Sequence, residues 1–249
     1  NAVYPNNQSL VNENLTNEKV LGLEAGYGFR SAVFNANVNL YHTSWKDRYQ
    51  RANDAATDNP GGYYDFAGIT QVHSGVEVDM NAKVGDKLKL NGMFSLGKWV
   101  YEGNITGRRF DVNNNNISGG TTTTYYVDGT RVGDVAQMTA SIGAAYELAP
   151  RVNIDANYRL SDKLYASLDP TKQTLATNKG TLELPSYGLV DAGVSYKLLL
   201  GADKSKSLNF RLNINNLLDE VYIAESRTNI FASDYISGTD RKSTRLNSS

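Results

Sequence analysis

Apolar and polar residues trade places at every second position over long stretches of this chain. From Lys19 to Phe29, Leu21, Leu23, Ala25, Tyr27 and Phe29 share one face, and glycines with Glu24 take the other. Arg30 and Ser31 read as a turn. Phe34, Ala36, Val38 and Leu40 then alternate with Asn35, Asn37 and Asn39. Between Gln71 and Val84, the apolar set is Val72, Val76, Val78, Met80, Ala82 and Val84, set against His73, Glu77, Asp79, Asn81 and Lys83. Gly85-Asp86 makes the next turn, and Leu88, Leu90, Phe94, Leu96 and Val100 resume against Lys87, Lys89, Asn91 and Ser95. A third pair runs from Ala136 to Leu148 and from Val152 to Leu160, divided by Ala149-Pro150-Arg151. A fourth runs from Val190 to Tyr196 and from Leu208 to Ile214. A period of two marks a strand with two unlike faces. The pattern predicts about eight strands in four hairpins.

These segments run to about 11–15 residues, roughly twice an ordinary strand. At ~3.3 Å per residue and a tilt near 45°, about 12 residues rise roughly 28 Å, the apolar thickness of a bilayer. Most turns within the pairs are short. The connections between pairs are long and polar, expected over Lys46 to Thr70, Glu102 to Gly133, Ser167 to Ser186 and from Asp219 onward. Short turns at one end and long loops at the other distinguish a transmembrane barrel from a soluble sandwich. Asparagine is a poor strand former, so a face built of it points to a wet lumen, leaving Phe34, Ala36, Val38 and Leu40 toward lipid. Tyr27, Phe29, Tyr146 and Tyr196 lie near the short-turn end, where an interfacial aromatic belt would sit. The fold expected is all-β, an antiparallel transmembrane β-barrel segment.

Composition narrows the chemistry. The 249 residues carry a net charge of -1, which gives no pull on nucleic acid. With no cysteine, disulfides, thiolate metal sites and cysteine nucleophiles are excluded. No apolar run is long enough for a membrane helix. The mean hydropathy of -0.45 is compatible with a barrel, whose lipid-facing and lumen-facing residues average out. The first residue is Asn1 with no charged-then-apolar leader, so any signal peptide is expected to be cleaved or to lie upstream.

Several segments resemble TonB-dependent outer-membrane receptors, with a flavour nearest to those of Bacteroidetes-type bacteria. "VHSGVEVDMNAKVGDKLKLNGMFSLGKWVYEG" is similar to a strand pair around a Gly-hydrophobic-Glu signature, here Gly75 and Glu77. "LPSYGLVDAGVSYKL" followed by "LNFRLNINNLLDEVY" resembles the near-C-terminal strands of that family, with Asn216, Leu217, Asp219 and Tyr222 in its closing motif. The resemblance covers about Asn14 to Ser237. It implies a plugged barrel that captures a scarce nutrient of siderophore, cobalamin or glycan type and imports it with energy from TonB. It also implies a bacterial outer-membrane location. The partners implied are outer-membrane lipid, the TonB complex through an N-terminal region not seen in this sequence, a small nutrient ligand and a surface lipoprotein. No cofactor and no bond-making chemistry are implied. The chain departs from the family in lacking plug, TonB-binding segment and most strands. It is therefore expected to be the C-terminal portion of such a barrel over residues 1–240, with the end of "DRKSTRLNSS" giving a non-native or truncated tail over 241–249.

Other motifs have blander readings. "GMFSLGKW" places Trp99 where a phosphate loop needs Ser or Thr, and it sits within an alternating strand. Asp111, Asn113 and Asn115 echo a calcium loop, but Asn116 and Thr122 stand where its glycine and glutamate belong. His42 and His73 could meet at a lumen site, or serve as separate polar wall residues. Arg108 and Arg109 in the longest loop could clasp an anion, and Tyr125 and Tyr126 could stack on a ligand ring; these four are the candidate ligand contacts. The mixed charges of Glu77, Asp79, Lys83, Lys87, Lys89, Asp155, Arg159 and Arg211 are expected to pair with one another or with a plug. Two alternatives to the importer stand: a self-contained small outer-membrane pore or adhesin barrel, and a soluble β-rich binding domain.

Overall fold

The computed structural model describes residues 17–177, 180–201, 205–226 and 245–247. In chain order the strands are β1 (Lys19–Arg30), β2 (Phe34–Asn53), β3 (Tyr63–Val84), β4 (Leu88–Tyr101), β5 (Ile105–Phe110), β6 (Thr123–Tyr125), β7 (Ala136–Ala149), β8 (Val152–Tyr165), β9 (Glu183–Leu184), β10 (Tyr187–Leu200), β11 (Lys206–Ile214), β12 (Tyr222–Glu225) and β13 (Arg245–Asn247). Eight of them form one antiparallel path, β1-β2-β3-β4-β7-β8-β10-β11, with β5, β6 and β9 attached at the long-loop end. The four hairpins fall where alternation places them. β13 pairs with β12 and lies within the expected tail; most of that tail is outside the described residues.

Register shows how the two faces form. One hydrogen-bonded row reads Tyr27, Val38, Val78, Phe94, Ala140, Leu160 and Gly188. A row three residues nearer the short turns reads Arg30, Asn35, Asn81, Asn91, Gly143, Asn157 and Asp191. Side chains on successive residues point to opposite sides, so the apolar sets of all eight strands make one continuous face and the asparagines the other. Val38, Leu40, Ile142, Phe210 and Leu212 remain solvent-exposed on the apolar face. A sheet spanning hydrocarbon must pair all its backbone groups and keeps no core between layers.

The polar face has a second regularity. Asn37 stands opposite Gly28, and Asn39 opposite Gly26. Gly143 is flanked by Asn91 and Asn157. A Cβ at Gly143 would meet Asn91 Oδ1 at 2.5 Å and Asn157 Oδ1 at 3.0 Å, and one at Gly26 would meet Asn39 Oδ1 at 2.9 Å. The asparagines therefore lie down across glycines of neighbouring strands. Gly75 is a larger case: a Cβ there would meet Tyr41 Oη at 2.5 Å and the Leu96 carbonyl oxygen at 2.6 Å. Because one obstacle is backbone, Gly75→Ala is expected to destabilise the sheet by about 1–3 kcal/mol, as overpacking does. Urea unfolding of the vesicle-inserted protein measures this; an unshifted midpoint would refute the role given to Gly75.

The first long loop is shorter than the alternation predicts. β2 continues to Asn53 and β3 begins at Tyr63, so only residues 54–62 connect them. The reason is a pair of bulges. Trp45 pairs with Gln71, Arg48 with Ile69, and Gln50 with Phe66. Each strand thus inserts one extra residue, β2 near Asp47 (φ 58°) and β3 near Gly68 (φ 70°). A bulge breaks the two-residue period. Beyond it the faces swap parity: Ala52, Tyr64 and Phe66 turn to the polar side of the sheet, and Arg51, Tyr63 and Asp65 to the other.

Candidate functional site

At the long-loop end the extended hairpin, β5 and β6 build a folded platform. Phe66 is fully buried at its centre, with Ile69, Tyr101, Ile105, Tyr125, Val127 and Leu168 around it. Phe66 and Tyr125 meet edge to face at 5.0 Å. Gly107 makes this possible, since a Cβ there would lie 2.7 Å from the Phe66 ring and 2.8 Å from that of Tyr125.

Charges clasp the platform together. Arg109 Nε donates to Asp54 Oδ2 at 2.5 Å, and its Nη2 to Asp58 Oδ1 at 2.6 Å. Asn59 Nδ2 donates to Asp54 Oδ2 at 2.8 Å and to the Phe110 carbonyl at 2.9 Å. Burial pushes the Asp54 carboxyl up, but hydrogen bonds from Arg109, Asn59 and the Ala56 N–H outweigh it and hold the group below the usual carboxylate range. Asp58 is held low by Arg109. On the other side of the hairpin, Arg51 lies 3.8 Å over Tyr63, which stacks on Phe110 at 5.2 Å. Asp65 accepts from Arg51 Nε at 2.8 Å and from the Tyr49 hydroxyl. Burial and the bond to Asp65 drive the Tyr49 phenol well above its ordinary value.

The four candidate contacts divide by face. Tyr125 is buried in the platform core and Arg109 faces the same side, over Tyr64 at 6.0 Å. Arg108 alternates to the opposite side, across from Asp65. Tyr126 is half-buried, and its N–H donates to the Gln173 carbonyl at 2.7 Å, tying β6 to the turn at Pro170–Lys172. That turn walls a cleft of about 440 Å³ between Gln50–Asn53 and Ser167–Pro170.

Below the platform, on the polar face, lies an aromatic ledge that sequence reasoning missed. Trp45 and His73 are 5.3 Å apart, and His73 stacks on Trp99 at 5.0 Å and 14°. Arg48 lies over the Trp45 ring at 4.9 Å. Trp99 Nε1 donates to Tyr41 Oη at 2.9 Å. Trp45 Nε1 and His73 Nε2 are shielded from water with no partner among the described residues. The odd numbering of Tyr41, Trp45, His73 and Trp99 puts them on one face, but only the register brings them together.

The remaining motifs resolve locally. His42 pairs with Ser74, bonded at 2.8 Å on the apolar face, so it does not join His73. Asp111 accepts the N–H groups of Asn113 at 2.9 Å and Asn115 at 2.8 Å, together with Asn115 Nδ2 at 2.8 Å, closing its own turn. The described residues hold no cluster of three or more metal-ligating side chains. Arg159 pairs with Asp191 at 2.7 Å and Arg211 with Asp155 at 2.9 Å, so part of the polar-face charge is matched within the sheet. Glu77 faces Asn39 and Ser95 on that same side. In the closing motif, Asn216 adopts φ 49°, accepts from Glu220 N–H at 2.8 Å and donates to its carbonyl at 3.0 Å. Leu217 N–H reaches the Val190 carbonyl at 2.7 Å, Asp219 N–H the Asn216 carbonyl at 2.9 Å, and Tyr222 stacks on Tyr187 at 4.1 Å.

Comparison with known proteins gives the same picture. The family described as "TonB dependent receptor-like, beta-barrel" matches residues 1–217. The chain is 26% identical to the "Probable TonB-dependent siderophore receptor PiuA" of Acinetobacter baumannii, over 96% of this chain and 31% of that protein. It is 27% identical to the "Ferrioxamine receptor" of Yersinia enterocolitica, over 76% of this chain and 22% of that protein. It thus spans less than a third of either relative. Its fold is similar to that of the Ferric-Catecholate import receptor Fiu from K12 E. coli, with a TM-score of 0.56 at 14% identity, covering 93% of this chain and 26% of that one.

Proposed function

Because the chain belongs to the TonB-dependent receptor β-barrel family, we propose that it is the C-terminal wall segment, over residues 1–240, of an outer-membrane receptor that imports a ferric siderophore with energy from TonB. The observation that carries this is the pairing of an unbroken apolar face with a polar face that ends, at the long-loop side, in a prefolded platform and an aromatic ledge. The relatives are named for siderophores, which favours that ligand over cobalamin or a glycan. Transport of this kind makes no bond, so the protein is not an enzyme.

In this reading the platform holds the mouth open in a fixed shape. Arg109 and Tyr125 build it, and Arg108 and Tyr126 offer polar atoms at its rim. The cleft beside the Pro170 turn admits the ligand, and the half-buried rings of Trp45, His73 and Trp99 present aromatic surface to it below.

The test is uptake of radiolabelled ferric siderophores by a receptor-deletion strain carrying the full-length gene. Uptake is expected to vanish without TonB. Trp45→Ala is expected to weaken ligand affinity by roughly tenfold, the upper range for losing one ring stack. Uptake that persists without TonB, or a Trp45→Ala receptor with unchanged affinity, would overturn the reading.

A further inference from the structure

The apolar face does not end the same way at its two edges. At the short-turn edge of β1 to β4 its side chains are Tyr27, Phe29, Phe34, Val84 and Leu88, with no cation. At the opposite edge stand Lys19, Lys46 and Lys98. Lys19 and Lys46 are direct register partners, and Lys98 pairs with Ser74, which pairs with His42. Lys19 lies 11 residues from Arg30, Lys46 lies 12 from Phe34, and Lys98 lies 10 from Leu88. The three are level when measured from the turns. At ~3.3 Å per residue and a tilt of about 40–45°, that level is roughly 23–30 Å above the turns, the height of an outer-membrane apolar band.

Lysines this far up an outward face sit where hydrocarbon gives way to head groups. Lys19 is held at 2.7 Å by Asp47. Lys46 and Lys98 are exposed and have no carboxylate partner among the described residues. Two uncompensated ammonium groups flank Ser44, Ser74 and His42, small or polar residues that leave room for a head group. The charge, the height and the absence of a counterpart at the other edge of these same four strands call for an anion that belongs to one leaflet only.

Resting on the outer-membrane reading above, we propose that Lys46 and Lys98, with Lys19 beside them, bind the phosphate groups of an outer-leaflet phosphoglycolipid. The lipid would brace β1 to β4 directly beneath the platform.

The experiment uses the full-length receptor with phosphatidylethanolamine vesicles containing either diphosphoryl lipid A or its dephosphorylated form. The parent is expected to retain the phosphorylated lipid selectively, and the double variant Lys46→Gln/Lys98→Gln to lose about tenfold in affinity, in keeping with roughly a factor of several per lysine near a charged surface. Lys46→Arg/Lys98→Arg, which keeps the charge, is expected to retain the lipid, as is the lumen-side control Lys83→Gln/Lys89→Gln. Equal retention by the glutamine variant and the parent, or no preference for phosphate in the parent, would overturn the proposal. Ferric-siderophore uptake measured on the same variants separates the two readings: intact uptake with unchanged lipid retention defeats only this one. Should the glutamine pair fail to assemble, the single variant Lys98→Gln carries the same comparison.

Discussion

Val38→Arg or Ile142→Arg is expected to cost the vesicle-inserted receptor about 2–4 kcal/mol, while Asn37→Ser costs a small fraction of that. Val38 and Asn37 are neighbours on one strand, so strand position is nearly matched. What differs is the face. Val38 belongs to the row that runs from Tyr27 to Leu160, and Ile142 is 65% exposed on the same side, with no second layer over it. Counted from their turns, Val38 and Ile142 lie 4 and 7 residues along, on either side of the bilayer's middle. An arginine there must be desolvated or must deform the bilayer. Asn37 lies on the polar side across Gly28. Urea unfolding in phospholipid vesicles gives the numbers. If arginine were tolerated equally at positions 37, 38 and 142, the assigned facing would be wrong and the membrane reading with it.

The second large effect is expected at the platform clasp. The Asp54 side chain is 2% exposed while Arg109 is 24% exposed. Arg109→Ala removes a partner and leaves a buried carboxylate with only Asn59 and the Ala56 N–H. Breaking a buried pair costs about 3–5 kcal/mol, and partial solvation of Arg109 places this one near about 2–4 kcal/mol. The damage should be local, opening the 54–62 loop to protease and to amide exchange. Asp54→Asn/Arg109→Ala should recover much of the loss, because no charge is then stranded. A parent-like protease pattern in Arg109→Ala would refute the clasp. The pH dependence follows from the same contacts. Asp54 is held below its unfolded value of about 4, so the clasp contributes fully above that pH. Its contribution fades as pH falls through the lower, folded value.

Alternation made the hairpins, the apolar face and the lumen face legible from sequence, because a two-residue period is a local property of each strand. It failed at Asp47 and Gly68, where one inserted residue on each strand reverses the facing and hides the outer half of the longest hairpin in what reads as loop. Tyr125 reads as a candidate ligand ring but sits beneath Phe66, since burial in a platform depends on contacts among segments far apart in the chain. The Trp45–His73–Trp99 ledge was invisible for a related reason: the three residues come from three strands, and only hydrogen-bond register aligns them. Gly75 stood out by resemblance alone, and its purpose became clear once Tyr41 was found lying over it.

The asparagines reclining on glycines have a consequence for any conduit this face would line. A projecting side chain narrows a conduit and presents a tip that any cargo would have to clear. A reclining one leaves the bore close to its backbone diameter, tiled with amide groups that can hand a hydrated solute from one to the next without gripping it. Filling Gly26, Gly28 or Gly143 would tip those amides upright, and the same number of strands would then enclose a tighter, rougher passage.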